Sequence, residues 1–109
     1  MTFKGEIEMA EFVEVCAEAD IPPGTGKMFE IGREEIGVFN IGGKFYAIDD
    51  LCPHEGGPMH EGAVSGEIVT CPLHGWRTNV VTGESLELPG IKVNRFEVKV
   101  ENGKVFVKV

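Results

Sequence analysis

The sequence predicts an all-β fold, and three observations support this prediction. Short stretches in which apolar and polar residues alternate recur along the 109 residues, as is typical of strands with one buried face. Turn signals separate these stretches, and many of the turns contain one or more of the 15 glycines. No stretch has a convincing 3.6-residue apolar period of the kind that marks an amphipathic helix. We therefore expect many short strands that pair into antiparallel sheets.

The first half of the chain contains four of the expected strands. They are predicted at residues 11–17, 27–31, 36–41 and 44–48. Cys16 falls within the first strand, where a cysteine without a neighbouring ligand is typical of a small buried hydrophobic residue. Gly42 and Gly43 join the last two strands, since paired glycines accept the positive φ angles of a two-residue hairpin turn.

The clearest hairpin lies at the C-terminal end, across Asn102-Gly103. A two-residue turn there sets three apolar pairs on one face, which we expect to face the core: Val100 with Val105, Val98 with Val107, and Phe96 with Val109. The opposite face carries two pairs of opposite charge: Glu101 with Lys104, and Glu97 with Lys108. The sequence therefore predicts both the register and the buried face of this hairpin.

Chain length and composition indicate a single domain over residues 1–109, with no room for a second catalytic domain. No apolar run approaches the roughly 18 residues that a membrane span requires. The N-terminal stretch lacks the apolar segment of a signal peptide, and three cysteines are too few for a disulfide framework. We therefore expect a cytoplasmic protein.

The formal net charge of −8 bears on the kind of partner. An acidic protein is repelled by nucleic acid and by anionic membrane surfaces, so neither is expected as a partner. A protein with a basic docking patch would be attracted. An acidic balance is also common among proteins for solubility alone.

The main functional signal is a pair of short ligand boxes between Cys52 and His74. They read C-x-H and C-x₂-H, with sixteen residues between them, and a short strand at 66–70 leads into Cys71. Thiolate and imidazole bind both zinc and iron–sulfur clusters, so this set suits either one zinc ion or one 2Fe–2S cluster. Zinc sites usually pair like ligands, whereas each box here mixes one cysteine with one histidine, which favours the cluster.

Both boxes resemble those of the Rieske 2Fe–2S family, in the stretches Cys52-Pro53-His54-x-Gly56 and Cys71-Pro72-Leu73-His74-Gly75-Trp76. The similarity extends from about residue 11 to residue 109. The resemblance implies a Rieske-type fold in which two loops form a small cluster-binding part, at about residues 49–85. It also implies that Cys52 and Cys71 bind one iron while His54 and His74 bind the other.

Departures from the high-potential members of that family indicate a low reduction potential. Gly57 and Leu73 occupy the positions of two cysteines that form a disulfide in those members. Trp76 and Thr78 replace a serine and a tyrosine whose hydroxyls donate to cluster and ligand sulfur, although Thr78 retains a hydroxyl. We therefore expect a potential toward the low end of the Rieske range, about −150 mV in place of about +300 mV.

Three further features near the boxes have competing interpretations. Pro89-Gly90 is either a third loop that covers the cluster, as a proline-containing segment does in the family, or a plain turn. We expect His60, in an acidic loop beyond the first box, to be a solvated surface histidine. Trp76 either shields the cluster or is a specific path for electrons, and we expect it to shield the cluster.

Nothing else in the sequence resembles a catalytic set, so the chain is expected to carry electrons and not to be an enzyme itself. The resemblance implies a ferredoxin that passes single electrons from a flavin-dependent reductase to a terminal oxygenase. An alternative is the small Rieske-type subunit of an assimilatory NADH-dependent nitrite reductase. A third interpretation is a zinc-stabilised interaction module.

Overall fold

The computed structural model describes residues 12–50, 58–73, 75–88 and 90–108. In these ranges the strands are β1 Phe12–Ala17, β2 Gly26–Ile31, β3 Glu34–Ile41, β4 Lys44–Asp49, β5 Ala63–Ser65, β6 Ile68–Thr70, β7 Arg77–Asn79, β8 Arg95–Glu101 and β9 Lys104–Lys108. Two 3₁₀ turns, Glu18–Asp20 and Met59–Glu61, are the helical segments of this part of the chain. The all-β prediction is confirmed. Neither turn is long enough to cross a membrane.

Six strands form the larger sheet, in the order β1-β9-β8-β4-β3-β2, and all neighbours are antiparallel. The β3–β4 hairpin turns through Gly42 and Gly43, with φ angles of 62° and 96°. At the β8–β9 turn, Asn102 and Gly103 have φ angles of 53° and 75°. Both turns occupy the left-handed region that glycine and asparagine accept most readily, as the sequence predicted.

The C-terminal hairpin has the predicted register. Val100 pairs with Val105 and Val98 with Val107, while the expected partner of Phe96, Val109, lies outside the described residues. Val105 and Val107 are fully buried, but Val100 is 41% exposed, so the prediction of a core position for Val100 was wrong. The reason is that β4 pairs with β8 at the opposite end of the strand, at residues 95 and 96.

Strands β5, β6 and β7 form a smaller antiparallel sheet in that order. The strand predicted at 66–70 begins at Ile68, because Gly66 and Glu67 form the turn that follows β5. Gly66 has a φ of 61°, which suits a turn and not a strand. Strand β5 was not predicted, because its three residues are too few to show alternation.

Two groups of buried residues form the core. The first comes mainly from strands β3, β4 and β9 of the larger sheet and comprises Ile21, Ile36, Val38, Phe45, Ala47, Val105 and Val107. Cys16 packs against this group, as expected, and burial raises the pKa of its thiol. The second group, called the site core below, comprises Phe39, Ile48, Met59, Val69, Cys71 and Val80. It joins strands β3 and β4 of the larger sheet to the smaller sheet, and it contains one of the predicted ligands.

Candidate metal centre

The second ligand box lies in the loop that joins β6 to β7. Cys71 follows β6 directly and is 2% exposed. Its N–H donates to the carbonyl of Trp76 at 2.6 Å, and its carbonyl accepts from the N–H of Gly75 at 3.0 Å. Gly75 has a φ of 72°, a conformation that glycine adopts without strain. These backbone bonds hold Cys71 close to Gly75 and Trp76, at the entry and the exit of a tight loop.

The side chain of Cys71 belongs to the site core, together with Met59 and Val69. Leu73, two residues further on, is 52% exposed. The loop therefore keeps its cysteine inside while it presents an apolar side chain to solvent. A thiolate that is screened from water, at the base of a short loop, is well placed to act as a soft metal ligand.

The segment that carries the first box, residues 51–57, lies outside the described residues, but the residues on both sides of it are described. Before it, Asp50 is 2% exposed, and its carbonyl accepts from the N–H of Met59 at 2.7 Å. The Asp50 carboxylate accepts from the N–H of His60 at 2.8 Å through Oδ1, and its Oδ2 lies 2.7 Å from His60 Nδ1. We call these three residues, Asp50, Met59 and His60, the loop neck.

Opposing effects act on the Asp50 carboxyl in the loop neck. Burial raises its pKa above the ordinary value, because an apolar surrounding disfavours the charged form. The hydrogen bonds from the His60 side chain and backbone act in the other direction, because they stabilise the carboxylate. His60 therefore compensates part of what it costs to bury this carboxyl.

The prediction that His60 is a solvated surface histidine was wrong. Its side chain is 23% exposed, and it lies between Asp50 and Glu61, with 3.7 Å from Nε2 to Glu61 Oε2. The sequence did not show this, because Asp50 is ten positions away and the contact depends on how the chain returns after the first box. The available signal was an acidic residue directly after the apolar strand β4.

A close approach connects the exit of the first box to the entry of the second. Gly62 follows the loop neck, and a Cβ on Gly62 would overlap the carbonyl oxygen of Thr70 and lie 2.9 Å from Val69 Cγ2. Thr70 immediately precedes Cys71. Only a residue without a side chain fits there, so Gly62 fixes the distance between the two segments.

A third segment, residues 84–88 and 90–91, lies beside β7, the strand that follows the second box. Its Glu87 carboxylate accepts from the Arg77 N–H at 2.7 Å and from Arg77 Nε at 2.8 Å, and Arg77 Nη2 lies 2.7 Å from Glu87 Oε2. Arg77 holds the pKa of Glu87 below its ordinary value through these bonds. Leu86 N–H also donates to the Arg77 carbonyl at 2.9 Å. The segment is thus attached to the strand that leads out of the second box.

Residue 89, the proline of the expected third loop, lies outside the described residues, and Gly90 adopts a φ of 87° in a turn. Leu86 and Ile91 are each 42% exposed on this segment. Trp76 is partly buried against the site core, and Thr78 is 1% exposed in β7 opposite Val69. Whether these residues cover a cluster stays a prediction.

Of the four predicted ligands, the structure describes Cys71. Cys52, His54 and His74 lie outside the described residues, so the ligand set as a whole stays a prediction. Within the described ranges no group of three or more His, Cys, Asp or Glu side chains is arranged to hold a metal ion. The structure nevertheless fits the predicted group, because Cys71 is buried in the site core together with Met59, which follows the segment of the first box in the sequence.

Comparisons with known proteins agree with this fit. A family model described as the Rieske [2Fe-2S] domain matches residues 11–101. Ferredoxin CarAc of Metapseudomonas resinovorans is 36% identical over 98 residues, which cover 88% of this chain and 92% of that protein. The ferredoxin component of biphenyl 2,3-dioxygenase from Rhodococcus jostii strain RHA1 is 37% identical over 95 residues, covering 86% of this chain and 89% of that protein.

Among solved structures, one match is a chain in the complex of reduced oxygenase and oxidized ferredoxin of carbazole 1,9a-dioxygenase. It is 36% identical, with a TM-score of 0.80, and the match covers 87% of this chain and 99% of that one.

Proposed function

Because this chain belongs to the Rieske [2Fe-2S] domain family, we propose that it carries single electrons from a flavin-dependent reductase to a terminal oxygenase. Its cofactor is one Rieske-type 2Fe–2S cluster. The observation that carries the proposal is the position of Cys71, buried at the base of a closed loop beside Met59 from the exit of the first box. Several relatives that match most of this chain are named as ferredoxin components of oxygenase systems.

We assign the cluster to four ligands, with Cys52 and Cys71 on one iron and His54 and His74 on the other. The cluster accepts and donates one electron at a time, and two neutral imidazoles in place of thiolates make it easier to reduce. The burial of Cys71 and the packing of the site core support this assignment.

The residues around the assigned ligands exclude water on one side of the site and offer a contact surface on the other. The apolar side chains of Phe39, Met59 and Val69 exclude water from the buried side of Cys71. On the outer side, the exposed Leu73 stands next to His74 in the sequence and offers an apolar contact to a partner protein. Electron transfer would then occur through the histidine side of the cluster.

The proposal places the potential at the low end of the Rieske range, about −150 mV. Leu73, at a position that carries a cysteine in high-potential members, is exposed and cannot form their disulfide. We also propose a single domain over residues 1–109, with its cluster-binding part at about 49–85. The core that is shared by both sheets supports that division.

We propose the cytoplasm as the site of action, and proteins as the partners. Two of the three cysteines are assigned to the cluster, a usage that suits a reducing compartment. The net charge of −8 disfavours nucleic acid and anionic membranes as partners and favours a basic docking surface.

The test uses the cluster-loaded protein with a flavin-dependent reductase and a terminal oxygenase taken from the same source genome. NADH and catalytic reductase should place one electron on each chain, and subsequent addition of oxygenase and its substrate should reoxidise the chain with product formation. Reduction followed by no transfer to the oxygenase would reject the oxygenase role. Transfer to a nitrite reductase large subunit, with nitrite consumption, would support the alternative small-subunit role.

A further inference from the structure

The loop neck contains one hydrogen bond whose donor is a side chain. Two of its hydrogen bonds to Asp50 use the backbone N–H groups of residues 59 and 60, which almost any residue would provide. The third joins Asp50 Oδ2 to His60 Nδ1 at 2.7 Å. The Asp50 side chain is 3% exposed, so water has little access to replace that donor. A buried carboxylate oxygen without a hydrogen-bond donor costs folding free energy. The identity of residue 60 therefore matters, because the His60 side chain supplies this donor.

The carboxylate has little room to move if that donor is lost. On the β3 side it packs against Gly37, where a Cβ would lie 2.6 Å from Asp50 Oδ1. The Asp50 backbone is fixed as well, because its N–H donates to the carbonyl of Glu35 at 2.9 Å. A displaced carboxylate would therefore strain Asp50 itself, which directly precedes the segment of the first box in the sequence.

A displacement of the neck would also reach the second box. Met59 lies between the two hydrogen-bonded residues of the neck and is 0% exposed in the site core, the group that contains Cys71. Packed side chains transmit a shift because the interior holds few voids. The bond between Asp50 and His60 is thus connected to the ligands of both boxes, through the ends of residues 51–57 and through Met59.

We propose that His60 is a positioning residue for the 2Fe–2S cluster, which acts by holding Asp50 and Met59 in place. It does not bind iron, and its contribution is to keep both ligand segments in one geometry. This inference rests on the proposed function, since it requires that the cluster be present. Residues that do not bind a metal but hold its ligands in place commonly affect the affinity for the metal.

Two amide variants separate the hydrogen bond from the size and polarity of the side chain. In His60→Asn the side-chain nitrogen can occupy the place of Nδ1 and donate to Asp50. In His60→Gln it occupies the place of Nε2 instead, so the variant stays polar but loses the donor. Glu61→Gln is the matched control, because it removes the negative charge on the outer side of the ring, where Glu61 is 63% exposed.

The measurements are made on cluster-loaded protein: the rate of cluster loss to an iron chelator, the EPR line shape after reduction, and the midpoint potential. We expect His60→Gln to lose the cluster at least about 10-fold faster than the parent, with broadened EPR lines and a shifted potential. His60→Asn and Glu61→Gln should stay within about twofold of the parent. A variant that merely weakened the fold would not change the potential of the molecules that remain folded.

Two outcomes would overturn the inference: His60→Gln that matches the parent in all three measurements, or His60→Asn that behaves like His60→Gln. If the parent itself shows no Rieske-type EPR signal, the proposed function fails, and that result is distinct from failure of the inference. A parent with the signal, and a His60→Gln variant indistinguishable from it, rejects the role of His60 alone.

Discussion

Gly62 lies against the carbonyl oxygen of Thr70, at a separation that leaves no space for a side chain. This contact joins the segment that leaves the first ligand box to the strand that enters the second. A residue that binds nothing therefore fixes the distance between the segment that follows the first box and the strand that precedes the second.

Gly62→Ala should destabilise the protein and slow cluster loading. The added methyl group would overlap the Thr70 carbonyl and crowd Val69, and overpacking of this kind costs about 1–3 kcal/mol. Urea unfolding and the yield of reconstituted cluster measure the two effects. Ser65→Ala, at an exposed position on the neighbouring strand β5, is the control. If Gly62→Ala matches that control in both measurements, the contact does not constrain the boxes.

The Arg77–Glu87 pair should make stability depend on pH in a defined direction. Arg77 holds the pKa of Glu87 below its ordinary value of 4.5, so the folded state favours the ionised carboxylate. Its contribution is present above pH 4.5 and is lost as the pH falls through the lower folded-state pKa. The difference in unfolding free energy between the parent and Glu87→Gln should therefore be largest near neutral pH and should shrink in acid.

Urea unfolding followed by circular dichroism, at several pH values from about 7 down to about 3.5, gives that difference. Glu30→Gln, which removes an exposed carboxylate on β2, controls for the general loss of one negative charge. A difference for Glu87→Gln that grows on acidification would contradict the sign of the pKa shift.

The turn of the C-terminal hairpin should tolerate glycine but not a β-branched residue. Asn102 has a φ of 53°, and a residue without asparagine's tolerance for this region costs about 1–2 kcal/mol there. Asn102→Val should lower the unfolding free energy by about that amount, while Asn102→Gly should have little effect. Equal stability of both variants would argue against the left-handed turn. The midpoint potential should be unchanged in both.

Several of these features were visible in the sequence because they are local. The register of the β8–β9 hairpin followed from the Asn102-Gly103 turn and the alternation on either side, and the structure confirmed it. The exposure of Val100 could not be predicted in the same way, because it depends on where β4 meets β8.

The same difference between local features and long-range contacts applies to the site. The ligand spacing is a property of the sequence, and the family that it indicated is confirmed. The environment of His60 and the contact of Gly62 with Thr70 depend on chain segments that meet only after folding. Hydrophobic periodicity contains no information about such contacts, so sequence analysis assigned His60 to the surface.

Trp76→Ser should raise the midpoint potential. The proposal places Trp76 where high-potential members carry a serine that donates to cluster sulfur, and a hydrogen bond to a charged group is worth about 1.5 kcal/mol. For a one-electron couple that corresponds to a rise of up to about 60 mV. Trp76→Phe keeps an aromatic ring without a hydroxyl and should leave the potential near that of the parent. A potential that rises equally in both variants would indicate lost packing against the site core in place of a new hydrogen bond.

The central claim is that Cys52, His54, Cys71 and His74 hold one Rieske-type cluster. Pulsed EPR of the reduced protein tests it most directly, since it detects nitrogen atoms that are bound to iron. We expect couplings from two imidazole nitrogens in the parent, and from one in each of His54→Cys and His74→Cys if the cluster still assembles. A colourless protein that contains zinc, or a reduced cluster without nitrogen couplings, would contradict the account.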